Sequence, residues 1–105
     1  MSQNDIYKKS QDRYTEENME IAVFFKALGH PARITIIKML LSKDTCYCGD
    51  IVKELPLAQS TVSQHLKELK KAGLIQGNIT PPQVKYCINR DNWKKLQDSV
   101  QNFFK

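Results

Sequence analysis

Three cysteines are the most chemically reactive residues of this chain. Cys46 and Cys48 are two residues apart, so in an extended segment both thiols point to the same side, with Tyr47 opposite. Thiolates bind soft ions and also arsenite, which takes three sulfurs in a pyramid, and Cys87 is the third thiol of the chain. Zinc would need a fourth ligand, and neither histidine of the chain is well placed to provide it. Two alternatives stay open: a redox switch, and buried cysteines that act as small hydrophobic residues.

A second candidate site is the polar surface of a helix predicted within residues 59–73. Val62, Leu66 and Leu69 recur at helical spacing and form one narrow apolar stripe. The residues that point away from the stripe or flank the outer face are polar or charged: Ser60, Thr61, Ser63, Gln64, Lys67, Glu68 and Lys71. Hydroxyl, amide and ammonium groups hydrogen-bond base edges and phosphates, although a solvated helix face without a partner has the same composition.

The elements on either side of this helix favour the DNA-binding interpretation. Residues 51–55 predict a short helix, which Pro56 stops, and a tight connection then leads to the next helix at Gln59. Gly73 is the natural stop of that second helix, because glycine readily adopts the left-handed conformation. A short helix, a turn and an amphipathic helix together predict a helix-turn-helix.

Two more helices are predicted before this motif. The first starts at Thr15 as a cap, ends at Gly29 and has one apolar face: Ile21, Phe24, Phe25 and Leu28. His30 and Pro31 start the second, and His30 is interpreted as a helix-start residue rather than a ligand. The second should be the central core helix, with Arg33 on its exposed side, because most of its surface is apolar: Ile34, Ile36, Ile37, Leu40 and Leu41.

A β-hairpin and a terminal helix are predicted at the end of the chain. Two β-like runs, residues 74–79 and 84–88, flank a segment that contains glycine, asparagine and proline, and the second run alternates like a strand with one buried face. Asp91 can cap a last helix whose apolar residues repeat at a spacing near 3.5: Trp93, Leu96, Val100 and Phe103. This is more apolar surface than a terminal helix of so small a domain needs. We therefore expect it to contact a second subunit together with the first helix; the alternative is that it folds back on its own core.

Length, charge and hydropathy restrict the class of protein. A chain of 105 residues corresponds to one domain, here residues 15–105 after a loose arm of residues 1–14. The net charge of +5 and the pI near 9.2 favour a polyanionic partner. No apolar run reaches membrane-spanning length and no signal-peptide core is present, so we expect a cytoplasmic protein with reduced thiols and no membrane partner. We do not expect an enzyme, because no nucleophile–base–acid constellation or glycine-rich phosphate loop occurs.

Taken together, these motifs resemble the ArsR/SmtB family of winged-helix bacterial repressors. The resemblance is carried, in this order, by Phe25-Lys-Ala-Leu-Gly-His-Pro-Ala-Arg-Ile34, Gly49-Asp50-Ile51, Ser60-Thr-Val-Ser-Gln-His-Leu66 and Leu69-Lys-Lys-Ala-Gly-Leu74. With the hairpin, it extends from about residue 16 to the end. It implies a mainly α fold with a small β-hairpin, a winged helix-turn-helix of the order α-α-α-α-β-β-α. It also implies a homodimer through the first and last helices, which binds an imperfect palindrome and is released when a metal, metalloid or other signal reaches it.

The resemblance gives the polar helix the role of recognising double-stranded operator DNA. A two-fold dimer would present two such helices to successive major grooves, with half-sites about one helical turn apart. Base contacts are expected near the helix start: Gln59, Ser60, Thr61, Ser63 and Gln64. Gln64 is the best candidate for a bidentate contact with adenine, whereas Lys67 and Lys71 are expected on phosphates. Family members place a histidine at or beside His65, so a phosphate contact and a packed, hydrogen-bonded ring are both open.

The same resemblance brings Cys87 to the other two thiols, because in a winged helix the segment around residue 47 pairs with the outer wing strand. Arsenite and cadmium sensors of the family carry Cys-x-Cys here, followed at once by Asp, whereas in this chain Gly49 intervenes before Asp50. The family's zinc site in the last helix is absent, since residues 91–105 contain no histidine. No cofactor is required, and the predicted inducer at Cys46, Cys48 and Cys87 is arsenite, another soft metal ion or an oxidant.

Two other features depart from the family pattern. Ala58 occupies the cap position where the family often has Ser or Asp, and residues 77–83 lack a basic wing tip, with only Lys85 nearby. Contact between the wing and DNA is therefore expected to be weak. The sequence predicts a dimeric, DNA-binding repressor. The alternatives are an ArsR-type repressor with no metal site and a winged-helix protein-interaction module that binds no DNA.

Overall fold

The structure of the chain is a computed structural model, and it describes residues 14–42, 46, 51–78 and 85–105. The arm predicted for residues 1–14 lies, apart from Tyr14, outside the described residues. The same is true of Cys48 and of the wing tip, residues 79–84. None of the described helices is both long and apolar enough to cross a membrane.

The first described helix, α1, spans Glu16–Leu28 and is held at both ends as the sequence predicts. The side chain of Thr15 accepts a hydrogen bond from the backbone N–H of Asn18 at 3.1 Å, which satisfies one of the free donors of the first turn. Glu16 and Glu17 lie in that turn, where the helix dipole favours negative charge. Ile21, Phe24 and Ala27 are buried, so α1 packs one face on the core.

Helix α2, Pro31–Leu41, forms the centre of the core. His30 caps it: its Nδ1 accepts from the backbone N–H of Ala32 at 3.0 Å, which confirms its interpretation as a helix-start residue. Ile36, Ile37 and Leu40 are buried. Ile34 is 44% exposed, so part of the apolar surface of α2 lies outside the core. At 100° per residue Ile34 points away from Ile36. Because most of the helix is apolar, its sequence pattern does not distinguish the buried side from the exposed side.

The helix-turn-helix is present, but its first helix differs from the prediction. Ile51–Glu54 is a single 3-10 turn rather than an α-helix through residue 55. Pro56 explains the short length, because proline has no N–H to donate and disfavours the helical conformation of the residue before it. Helix α3 follows at Gln59–Ala72 and ends at Gly73, whose φ of 88° is left-handed as predicted.

The wing is an antiparallel hairpin of β1, Ile75–Asn78, and β2, Lys85–Ile88. Ile75 pairs with Ile88, and Gly77 pairs with Tyr86. Ile75, Tyr86 and Ile88 are buried, so one face of the hairpin covers the core as the alternating pattern of the second run indicates. Gly77 has a φ of 120°, and a Cβ there would collide with the carbonyl oxygen of Lys85, so this pairing needs glycine.

The last helix, α4, spans Arg90–Phe103 and is capped by Asn89, whose side chain accepts from the N–H of Asn92 at 3.2 Å. The prediction of Asp91 as the cap was wrong by two residues, because Asp91 lies inside the first turn. The Nδ2 of Asn92 donates to the carbonyl of Gly73 at 2.8 Å, which joins the start of α4 to the end of α3. Four helices and a two-stranded hairpin in this order confirm the predicted winged-helix fold.

Helix α4 packs against α1 within one subunit, which changes the predicted dimer surface. Leu96 is buried together with Ile21 and Phe24. Three others are partly buried against the same core: Leu28, Trp93 and Val100. These six residues therefore contribute to the subunit's own core, as the alternative prediction had it. Of the eight residues assigned to the dimer interface, the two that are largely exposed are Phe25 at 43% and Phe103 at 69%.

Candidate nucleic-acid interface

Helix α3 separates an apolar stripe from a polar surface. Val62, Leu66 and Leu69 are buried, with Val62 and Leu69 fully inaccessible to solvent. The opposite side presents the exposed residues of the predicted DNA-contacting set: Gln59, Ser60, Thr61, Gln64, Lys67 and Lys71. Ser63 is half-buried at the edge of this surface. The helix can thus be held by one side while the other fits into a major groove, which is wide enough to admit it.

The side chain of Gln64 has a partner that the sequence analysis did not identify. Its Nε2 donates to Oε1 of Glu68 at 3.2 Å, one helical turn further along α3. The bidentate contact predicted for Gln64 uses the amide oxygen and one N–H, and the amide nitrogen has a second N–H that can stay on Glu68. The hydrogen bond to Glu68 is therefore compatible with a contact to adenine.

His65 belongs to the interior and not to the DNA-contacting surface. The residue is 7% exposed, and its Nδ1 accepts a hydrogen bond from Nε of Arg33 at 3.1 Å. The ring centroid of His30 lies 4.4 Å away. Burial lowers the pKa of His65 from its ordinary value, and the neighbouring His30 and Arg33 lower it further. The phosphate-contact assignment of His65 is thus wrong for this structure, and the packed, hydrogen-bonded alternative is confirmed.

Arg33 is the partner that sequence reasoning missed. It was expected on the exposed side of α2, but it is half-buried. Besides the bond to His65, its Nη1 donates to the carbonyl oxygen of Ala27 at 3.2 Å. Helical spacing places Arg33 next to the apolar residues of α2, but a contact across 32 residues of sequence depends on how α2 and α3 pack.

Two of the three cysteines are joined in the structure. Cys46 and Cys87 form a disulfide with a Cα–Cα distance of 4.4 Å, and Cys87 lies in β2 opposite Gln76. The predicted approach of Cys87 to the Cys46 segment is therefore observed. Cys48 lies outside the described residues. Among the residues that the structure describes, no cluster of three or more His, Cys, Asp or Glu residues could hold a metal ion.

Comparison with known proteins places the chain in a family. Residues 30–76 match the sequence pattern of "Bacterial regulatory protein, arsR family". An uncharacterized HTH-type transcriptional regulator of Methanocaldococcus jannaschii is 42% identical over 81 residues, which cover 77% of this chain and 91% of that protein. The biofilm growth-associated repressor of Agrobacterium fabrum is 28% identical over 85 residues, covering 81% and 72% of the two chains.

The fold agrees with this relationship. An ArsR-like transcriptional regulator from Rhodococcus sp. RHA1 superposes with a TM-score of 0.65 at 21% identity, over 81% of this chain and 79% of that one. These relatives are transcriptional regulators and not enzymes. The chain belongs to the ArsR family and is a transcriptional regulator with a DNA-binding helix-turn-helix.

Proposed function

We propose that this regulator is a repressor that binds a palindromic operator as a homodimer, with α3 of each subunit in a major groove. The observation that carries the proposal is the exposed polar surface of α3, which is backed by a fully buried apolar stripe. Gln59, Ser60, Thr61, Ser63 and Gln64 would read bases near the start of α3, while Lys67 and Lys71 would contact phosphates. The net charge of +5 would increase the rate of association with DNA.

An aromatic patch supports the dimer. Phe103 and Phe104 at the end of α4 are 69% and 82% exposed, and Phe25 of α1 is 43% exposed. The rings of Phe25 and Phe103 are in contact, with centroids 6.3 Å apart. Large contiguous apolar side chains on a small protein mark a surface that binds another protein, and a second copy of the chain would bury them. A two-fold dimer at this end would orient two α3 helices toward one duplex.

A thiol-directed signal is proposed to act at Cys46 and Cys87. Oxidation of the two thiols forms one S–S bond and transfers two electrons and two protons to an oxidant such as a peroxide, which is reduced to water. The bond joins the segment before the 3-10 helix to β2, so it restrains the wing relative to the helix-turn-helix. We propose that the reduced form binds the operator and that the disulfide form is released.

The DNA-binding proposal is tested by fluorescence anisotropy with a 30-base-pair duplex that the reduced protein selects from a random pool. Gln64→Ala is expected to reduce the preference for this duplex over a scrambled one by about tenfold, because a bidentate base contact contributes roughly 1–3 kcal/mol. Gln97→Ala, an exposed glutamine of α4, is the matched control. A protein that selects no duplex would instead support the protein-interaction alternative.

Salt dependence separates phosphate contacts from base contacts. Lys67→Ala should reduce the slope of log affinity against log salt concentration by about 1, without changing sequence preference. Lys38→Ala removes the same charge from the exposed surface of α2 and serves as control. Equal slopes for the two variants would show that Lys67 does not contact the phosphates of the DNA.

The thiol proposal is tested with the same duplex by comparing reduced protein with protein treated with hydrogen peroxide. Peroxide is expected to weaken binding in the wild type and in Cys48→Ser, but not in Cys87→Ser. Arsenite coordinated by three thiols would instead release wild-type protein and leave Cys48→Ser bound. A full peroxide response in Cys87→Ser would contradict a role for the Cys46–Cys87 bond.

A further inference from the structure

One arginine joins three helices behind the polar surface of α3. Nε of Arg33 donates to Nδ1 of His65 at 3.1 Å, and Nη1 donates to the carbonyl oxygen of Ala27 at 3.2 Å. Ala27 lies in the last turn of α1, where carbonyl oxygens have no partner within the helix. Arg33 itself lies in the first turn of α2. We call this arrangement of Arg33, His65, His30 and the Ala27 carbonyl the Arg33–His65 clamp.

Both histidines of the clamp must be unprotonated at Nδ1. Nδ1 of His65 accepts from Arg33, and Nδ1 of His30 accepts from the N–H of Ala32. A proton on either nitrogen replaces an acceptor by a donor and breaks that hydrogen bond. It also places a positive charge near the Arg33 guanidinium and the other ring, since the ring centroids are 4.4 Å apart.

The clamp acts on the part of α3 that would read DNA. His65 directly follows Gln64, and its side chain is fixed by a directional hydrogen bond. The stripe of Val62, Leu66 and Leu69 is apolar and not directional, and the helix start at Ala58 has no side-chain cap. The hydrogen bond from Asn92 to the carbonyl of Gly73 lies at the other end of α3. Arg33 therefore provides a directional contact in the part of α3 that contains Gln64.

We propose that Arg33 is a positioning residue for operator recognition, and that protonation of His65 opens the Arg33–His65 clamp and weakens operator binding. The inference rests on the proposed function, because it assumes that α3 reads the DNA. It adds a pH-sensitive element that is independent of the thiols.

Charged groups of α1 and α3 lie beside the clamp. Lys26 of α1 and Glu68 and Lys71 of α3 line the cleft beside Arg33, and Glu68 accepts the hydrogen bond from Gln64. Since the pKa of His65 is lowered in the folded state, the folded protein resists protonation more than the unfolded chain does. The stability that the neutral ring contributes is complete above the ordinary value near 6.5 and is lost as the pH falls through the lowered folded pKa.

The chain has two histidines, and both are in the clamp. Affinity for the selected 30-base-pair duplex is measured by anisotropy from pH 8.0 down to the lowest pH at which the reduced protein stays folded, at constant ionic strength. Wild type is expected to bind more weakly as the pH falls below the ordinary histidine value near 6.5, and by about tenfold once the hydrogen bond to His65 is lost. The double variant His30→Asn/His65→Asn keeps an acceptor at both positions but cannot titrate, and it should change by less than about twofold. The same pH profile in both proteins would overturn the proposal.

A charge-matched pair tests the arginine. Arg33→Met keeps an apolar stem but loses the donors, and Lys38→Met removes one charge from the exposed surface of the same helix. Arg33→Met is expected to weaken binding to the selected duplex by about tenfold more than Lys38→Met, with equal effects on a scrambled duplex. Equal effects of the two variants on both duplexes would show that Arg33 acts through its charge alone and overturn its positioning role.

An NMR titration of the histidine rings tests the clamp without DNA. In wild type, His65 should titrate below its ordinary value, and in Arg33→Met it should titrate closer to that value. An ordinary titration of His65 in wild type would overturn the clamp. If wild type selects no duplex while His65 titrates low, the proposed function fails and the clamp stands as a structural contact without the role in recognition. If Arg33→Met does not fold, the proposal is still tested by the pH dependence of binding in the double asparagine variant and by the NMR titration of wild type.

Discussion

The two helices on either side of the wing, α3 and α4, each contain 14 residues and have mostly polar exposed sides, but they differ at their ends. Helix α3 buries four side chains and turns hydroxyl, amide and ammonium groups to solvent. Helix α4 buries two, Leu96 and Ser99, and ends in exposed aromatic rings. This difference supports the partners proposed above, because a polar surface suits nucleic acid and an exposed aromatic patch suits another protein chain.

The largest effect is expected from the buried side of α3. Leu69→Ala should lower the free energy of unfolding by roughly 2–5 kcal/mol, because it removes a fully buried side chain and leaves a cavity. Denaturant unfolding at fixed protein concentration measures this, with Leu57→Ala, at a leucine 36% exposed, as the control. Equal losses in the two variants would contradict the view that α3 is fixed by its apolar stripe.

An intermediate effect is expected at the end of α4. Phe103→Ala should weaken dimerisation by about tenfold, since truncating an aromatic side chain at an interface typically loses 1 kcal/mol or more. Its effect on the unfolding of the monomer should be small, because Phe103 is 69% exposed. Sedimentation velocity over a concentration series measures the dimer, and Gln101→Ala, at an exposed polar residue two positions before Phe103, is the control. An unchanged dimer would mean that the aromatic patch has another partner.

The smallest effects on stability are expected at the starts of the two helices. Asn89 caps α4 with a side-chain hydrogen bond, whereas Ala58 provides none to α3. Asn89→Ala should lower the free energy of unfolding by about 1 kcal/mol, and Ala58→Ser should raise it by a similar amount. Thermal unfolding of both variants checks the pair. A destabilising Ala58→Ser would show that the start of α3 is fixed by other contacts.

The sequence predicted the features that depend on neighbouring residues. The stripe of α3, its stop at Gly73, the cap at Thr15 and the alternation in β2 all follow from local spacing or from one residue's backbone preference. The sequence was less informative where two elements meet. Leu96, predicted at a subunit interface, is buried in the subunit's own core, and Ile34 is largely exposed, because periodicity identifies an apolar face but not what that face contacts.

The same distinction between local spacing and tertiary packing applies to the candidate site. The polar surface of α3 was identified from spacing, and all of its predicted contacts except the half-buried Ser63 and the buried His65 are exposed. The burial of His65 depends on Arg33, which comes from another helix and joins it only after packing. The approach of Cys87 to Cys46 was expected from the family resemblance, and no spacing in the sequence would have predicted it.

For this protein, local sequence alone determined where most helices and strands begin and end and which side of α3 is polar, since propensity, capping and periodicity act within a few residues. Tertiary structure alone decided that Arg33 faces His65, that Cys46 meets Cys87 and that α4 covers α1. Those contacts join residues 32 or more positions apart. They exist only because burial of the shared core brings separate elements together.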